Sequence, residues 1–179
     1  SEIRNDFRLK IMSHKKNRHL AIGPNITLYF EDNLTMHYQI QEMLRAEKIF
    51  ESSAIDDELV VYNALIPDGN NWKATFMIEF TDEEERRAAL KKMLGIENNL
   101  WLKIEGFNEI HPVSDEDLER RDDNKTSAVH FLRFQLDHEM IDALKGGCQL
   151  SAGINHPEYK YTVNPIPQNI SESLISDLD

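Results

Sequence analysis

Five stretches of the chain alternate apolar and polar residues at the two-residue period of a strand with one buried face. From Trp72 to Phe80, the residues Trp72, Ala74, Phe76, Ile78 and Phe80 share one side, while Lys73, Thr75, Met77 and Glu79 share the other. The same phase recurs in Ile26, Leu28, Phe30; in Leu100, Leu102, Ile104; in Ala128, Leu132, Phe134, Leu136; and in Cys148, Leu150, Ala152, Ile154. One-sided strands interspersed with helical stretches predict a single α+β domain: a mainly antiparallel sheet of about five or six strands with helices packed on one face.

The helical stretches repeat at three and four residues. Ile3, Phe7 and Ile11 predict a first helix reaching about Lys16, and Gly23-Pro24-Asn25 punctuates the entry to the first strand. Asn33 is placed as the N-cap of a long helix over Leu34 to Glu51, striped by Met36, Ile40, Met43, Leu44 and Phe50. A further helix is expected over Asp56 to Leu65, before the turn at Pro67-Asp68-Gly69-Asn70. Thr81 and Glu84 open another as a capping box, which Gly95 stops, and Asp137 opens a short one, which Gly146-Gly147 ends. Glu109 to Val113 reads as a short return strand, Ser114 to Asn124 as a charged connector, and Tyr159 to Val163 as an edge strand. The resulting division is one domain over residues 1–163 and an extended acidic tail over 164–179, with at most a short helix after Ser171.

Charge narrows the function classes. With 32 acidic and 20 basic residues the net charge is -12, which disfavours nucleic acid as a partner because its phosphates would be repelled. The ends differ, however: Ser1 to His19 holds six basic side chains against Glu2 and Asp6, a basic helix suited to docking on an acidic surface or to binding an anion. The lone Cys148 excludes an internal disulfide and sits among apolar residues. With no apolar run of membrane-spanning length and no signal peptide, a cytoplasmic location is expected; the missing initiator Met leaves the natural start open.

Several segments resemble an uncharacterised bacterial family, catalogued as domain of unknown function 3501: Ala21-Ile22-Gly23-Pro24 into Leu28-Tyr29-Phe30-Glu31, Tyr38 to Arg45, Ile66-Pro67-Asp68-Gly69 into Asn71 to Thr75, and Lys125 to Phe134. The likeness spans about Ile3 to Tyr159. It implies no activity or cofactor. It implies a bacterial protein whose genes lie near rubrerythrin-like and iron-sulfur oxidoreductase genes, hence a redox-pathway partner, and whose relatives carry extra residues before the first helix.

Two polar residues interrupt otherwise apolar lines. Glu47 falls on the stripe of the long helix, and His130 shares strand phase with Leu132 and Phe134, so the two are expected to meet across the helix/sheet layer, since a buried carboxylate needs a partner. With the helical pair Glu42 and Arg45 they are the ligand-binding candidates. A mononuclear metal site would require folding to bring Glu42, Glu47, His37 and His130 together, and none is assigned. Ser127 and His130 lie on opposite strand faces and cannot act as nucleophile and base, and the run Asp115, Glu116, Asp117 reads as a solvated charge run.

On the side of the sheet away from the helices the phase places Tyr29, Met77, Trp101, Phe131 and Arg133, too apolar a face to be merely wet, and these are the interface candidates for a homodimer. The expected function is an accessory or interaction protein of an oxidative or iron-dependent pathway. The alternative is a small-ligand or metal-binding protein, catalytic or not, with its site between the long helix and the sheet.

Overall fold

The computed structural model describes residues 2–179. Its elements are α1 (Glu2–Lys15), β1 (His19–Ala21), β2 (Ile26–Glu31), α2 (Asn33–Ala46), α3 (Ser52–Asn63), β3 (Asn71–Ile78), α4 (Glu83–Lys92), β4 (Leu100–Ile104), β5 (Val113–Ser114), β6 (Val129–Gln135), α5 (His138–Lys145), β7 (Leu150–His156), β8 (Tyr159–Val163) and α6 (Gln168–Ile175). All five strands predicted from the alternation form, within an antiparallel α+β domain. They are divided between two sheets: β1-β2-β3-β6-β5 and β4-β7-β8, every pairing antiparallel.

One continuous core joins the inner faces of both sheets. Leu28, Phe30, Trp72, Phe76, Leu132 and Phe134 come from the larger sheet and Leu100, Leu102, Leu150 and Ile154 from the smaller, with side chains of α4, α5 and α6 closing the same core. Helices α1 to α3 stand apart from it, their buried side chains Ile11, Met36 and Ile40 packing outside that core. Among the described residues no helix is long and apolar enough to cross a membrane.

Helix α4 is capped by Asp82, which accepts from the Glu85 amide, and not by the Thr81/Glu84 box; α3 begins at Ser52, ahead of Asp56, and the strand expected over Glu109 to Val113 is only Val113–Ser114. Three further boundaries differ from the pattern. Helix α2 is capped by Asp32, not Asn33, through a reciprocal box in which Asp32 Oδ1 accepts from the Thr35 amide and Thr35 Oγ1 accepts from the Asp32 amide, both at 2.9 Å. It stops at Ala46, short of Glu51. Lys48 adopts φ +53° and the amides of Lys48 and Ile49 turn back to the carbonyls of Arg45 and Leu44, the hydrogen bonds of a Schellman ending. Phe50, the stripe's last member, falls beyond this ending and is exposed, so its helical spacing to Met43 is coincidental.

The third difference is the C-terminus. The sequence predicts an extended tail over residues 164–179, but α6 buries Ile170 and Leu174, with Leu178 beyond it, and these four-residue steps are the signature of a core helix. The Leu174 carbonyl accepts the Trp72 indole N–H at 2.8 Å, and the Asp179 amide donates to the Gly69 carbonyl. The segment belongs to the domain.

Arg18, read in the sequence as part of a basic arm, is buried with all five of its N–H donors engaged: the carbonyls of Phe30 and Glu31, the carbonyl and hydroxyl of Ser173, and Asp177 Oδ2 at 2.6 Å. Arg18→Met is expected to cost about 3–5 kcal/mol in urea unfolding, because it strands Asp177 and several carbonyls without a donor. Leu174→Ala is expected to cost about 2–5 kcal/mol; a change within about 0.5 kcal/mol would return the C-terminus to the status of a tail.

Candidate functional site

The outer face of the five-stranded sheet is organised in rows by its register. Thr27, Met77 and Val129 face one another across β2, β3 and β6; Tyr29, Thr75 and Phe131 form the next row; Glu31, Lys73 and Arg133 form the third; Asn71 and Gln135 continue beyond. The face therefore changes along the strands from apolar and aromatic to charged. Strands β2, β3 and β6 present it because their inner positions are the buried alternates Leu28, Phe76 and Leu132.

This face is the floor of a cavity of about 1400 Å³. Thr35 and Gln39 of α2, and Val61, Tyr62 and Leu65 at and beyond the end of α3, wall it on one side; Val113, Glu116, Leu118 and Arg120 of the connector wall it on the other. The exposed Val61 and Leu118 mark where it meets solvent. Its size exceeds the 300–1,000 Å³ typical of small-molecule sites, which leaves room for a ligand and water together.

Within it, Glu31 is the buried titratable group, 8% exposed, its Oε2 accepting from the Thr35 hydroxyl at 2.7 Å and its Oε1 from the Thr75 hydroxyl at 3.0 Å. Burial pushes its carboxyl above the usual range, against the opposing pull of those two hydroxyls and of Lys15. Tyr29, whose phenol donates to Glu79 Oε1 at 2.6 Å, is pushed up to about 12 by desolvation and by that carboxylate. Arg120 lies over the Phe131 ring, 4.5 Å from its centroid, and grips Asp117 with two 2.6 Å bonds, which hold the Asp117 carboxyl down at about 2. Lys73 Nζ donates to the Ala64 carbonyl at 2.9 Å and lies 3.3 Å from Asp68; Arg133 Nε donates to Glu116 at 2.7 Å.

The residues singled out in the sequence are dispersed. Glu47, the C-cap of α2, is exposed, and the expected Glu47/His130 pair does not form. The helix ends before the stripe could carry Glu47 inward. Glu42 pairs with Arg4 of α1 at 3.4 Å, and Arg45 is exposed in the last turn of α2. His130 does lie on the covered face, fully buried, and has a carboxylate partner, but the partner is Asp115, 2.5 Å from Nδ1. Tyr29, Met77, Phe131 and Arg133 share the outer face as the phase requires and line the cavity. Trp101 does not join them: it belongs to the smaller sheet, opposite Gly153 of β7, where a Cβ would collide with its indole. Among the described residues no group of three His, Cys, Asp or Glu side chains is arranged to hold a metal.

The His130 cluster has the outline of a nucleophile, base and acid, since Nε2 lies 2.7 Å from the Thr126 hydroxyl while Asp115 holds Nδ1. Thr126 is 1% exposed and His130 wholly enclosed, so no substrate reaches the hydroxyl, and the cluster fastens the connector to β6. Asp115 does this with both oxygens, Oδ1 accepting from the Phe131 amide and from Arg120. A period-two reading of β6 could not find Asp115, which arrives from a loop fifteen residues earlier. The outward face of Lys73 and Glu31 was within reach of the pattern, since strand phase puts each on the side opposite its inner alternates; their place beside Arg133 comes only from the register.

The family model for a protein of unknown function, DUF3501, matches residues 1–178. No curated protein matches. Among solved structures, a novel protein of unknown function from Burkholderia pseudomallei K96243, determined at 1.90 Å, is similar at 44% identity and a TM-score of 0.93, over 99% of this chain and 92% of that one. The cavity geometry thus stands on a fold shared with an experimentally determined relative, and the chain belongs to the DUF3501 family.

Proposed function

We propose that this protein binds a small organic ligand between the α2–α3 layer and the outer face of its larger sheet. The observation that carries the reading is the cavity of about 1400 Å³ whose floor is neither packed like a core nor polar like a solvated surface. Its floor contains Met77, Val129 and Phe131, all half-buried, beside a row of charges. A wholly solvated sheet face would not keep such an apolar surface, and a closed helical layer would leave no cavity. Helix α3 buries no side chain at all, so the wall it forms is loosely fastened, as entry of a ligand requires.

A second reading keeps the expected homodimer or protein partner. Val60 and Val61 on α3 are 74% and 62% exposed, and Phe50 just before it is 82% exposed, an apolar edge that favours association. Sedimentation at rising concentration separates the two: a dimer broken by Val60→Glu would support it.

The ligand reading is tested with the neutral fluorophore phenylnaphthylamine. Saturable binding of one equivalent is expected, weakened at least about tenfold by Val129→Trp, which fills the floor, with the melting temperature kept. Absence of saturable binding to the wild type would remove the reading.

The buried carboxyl gives an independent check with a definite sign. Glu31 holds its proton more tightly folded than its ordinary value of 4.5, so it costs nothing at acid pH, where both states are protonated, and its cost grows as pH rises above 4.5 until the folded value is passed. Glu31→Gln removes that cost while weakening one hydroxyl contact by about 1 kcal/mol at every pH. The stability of the variant relative to wild type is therefore expected to improve as the pH rises above the ordinary value of 4.5 in urea titrations, and a constant difference would show that burial does not tune this group.

A further inference from the structure

Lys73 and Arg133 are direct cross-strand partners, a like-charge pair of the kind that destabilises a sheet. Their neutralising carboxylates come from outside the sheet: Asp68 from the turn before β3, at 3.3 Å, and Glu116 from the connector after β5, at 2.7 Å. Those carboxylates are 66% and 51% exposed, whereas the cations they cover are only 14% and 29% exposed. The cations are thus held in the floor, and their partners are solvated rim groups whose pairing contributes little and can be exchanged. Glu31, the third member of the row, forms no ion pair with either cation; its oxygens accept from the Thr35 and Thr75 hydroxyls instead.

We propose that the ligand is an amphipathic organic anion, its carboxylate or phosphate head on Lys73 and Arg133 and its apolar body over Met77, Val129 and Phe131. The proposal rests on the ligand-binding reading above and adds the chemistry of the occupant. The register places the charged row two residues along the strands from Thr75 and Phe131, and four from Met77 and Val129, so a single extended molecule spans both zones. The head displaces Asp68 and Glu116 and removes the repulsion between the two cations, an interaction that water and a neutral ligand do not supply. The net charge of -12 does not prevent this, because distant charges are screened over about 8 Å at physiological salt while the row acts at contact.

The test compares neutral phenylnaphthylamine with anionic anilinonaphthalene sulfonate, two probes of similar shape. The wild type is expected to favour the anionic probe by about tenfold or more, and Arg133→Gln with Lys73→Gln to abolish that preference while phenylnaphthylamine still binds. Since Lys73 also holds the Ala64 carbonyl, Arg133→Gln alone provides the variant that spares this contact, and its preference is expected to fall in the same direction. Glu116→Gln, which frees Arg133, is expected to tighten the anionic probe, a gain that a merely structural role would not give. Decanoate or decyl phosphate should displace the bound probe where decanol does not, and the stronger of the two identifies the head. Equal affinity for both probes, or a preference surviving the loss of both cations, would overturn the anion proposal while leaving the cavity reading intact; failure of the neutral probe as well would overturn both.

Discussion

The guanidinium of Arg18 ties together parts of the chain that lie far apart in sequence. From the end of the turn after α1 it reaches two carbonyls at the end of β2, then Ser173 and Asp177 of the last helical segment, more than 150 residues away. A guanidinium with 1% exposure has no water to fall back on, so each of its five donors must find a protein acceptor, and the positions of β2 and α6 are specified by that requirement. Apolar packing supplies most of the driving force but little direction. A planar fork of fixed geometry supplies direction. Asp32, 3.8 Å from the Arg18 Nε, extends the constraint to α2, whose first turn it caps, and the same carboxylate lies 2.6 Å from His14 of α1. Burial pushes the Asp32 carboxyl up, but the Thr35 amide, Arg18 and His14 together hold it below its ordinary value. It remains the charged partner that the buried cation requires. Asp177, on the other side, has the opposite balance: desolvation outweighs Arg18 and raises it.

With its two faces built differently, the larger sheet separates the packed core from the cavity. The inner face is packed against the smaller sheet and α4 to α6 in one core, so the strands stay registered whatever happens outside. The outer face can then carry what a core could not: a buried carboxyl, an Arg over an aromatic ring and two cations side by side. Placing Glu31, Lys73, Phe131 and Arg133 on the middle strands of an antiparallel sheet fixes them more firmly than loops would. Of the walls, α3 is a helix without a buried side chain, whose movement costs little, whereas the connector is fastened to β6 through Asp115.

The pattern of the chain made the strands legible because alternation is local and each inner residue meets the core in its own strand. It did not disclose the division into two sheets, since strand phase says nothing about which strand is the neighbour; Trp101 therefore fell on the wrong surface although its own strand was read in the right phase. The functional side of the problem was legible to the same depth. His130 was recognisable as a buried polar residue that needs a carboxylate, but a partner fifteen residues away through a loop is not encoded in any period. Glu47 failed for a backbone reason, a left-handed Lys48 where glycine would have announced the end of the helix. Arg18 is the extreme case. Its burial depends on acceptors contributed by Phe30, Glu31, Ser173 and Asp177 at once, and only the assembled chain shows that a residue of the basic segment belongs inside.

These constraints meet at Glu31. Its carbonyl accepts from Arg18 at 3.0 Å while its side chain accepts from Thr35 and Thr75 in the cavity, so the residue that joins α2 to the floor is itself held by the buried cation. The chain from α6 through Asp177 and Arg18 to Glu31 is a continuous series of hydrogen bonds from the C-terminal segment to the cavity. Arg18 thus supports the backbone of Glu31, whose side chain in turn meets Thr35 of α2. The C-terminal helix is thereby linked to the cavity floor without lining it, through Asp177, Arg18 and the backbone of Glu31, while the row of Glu31, Lys73 and Arg133 takes its geometry from the strand register.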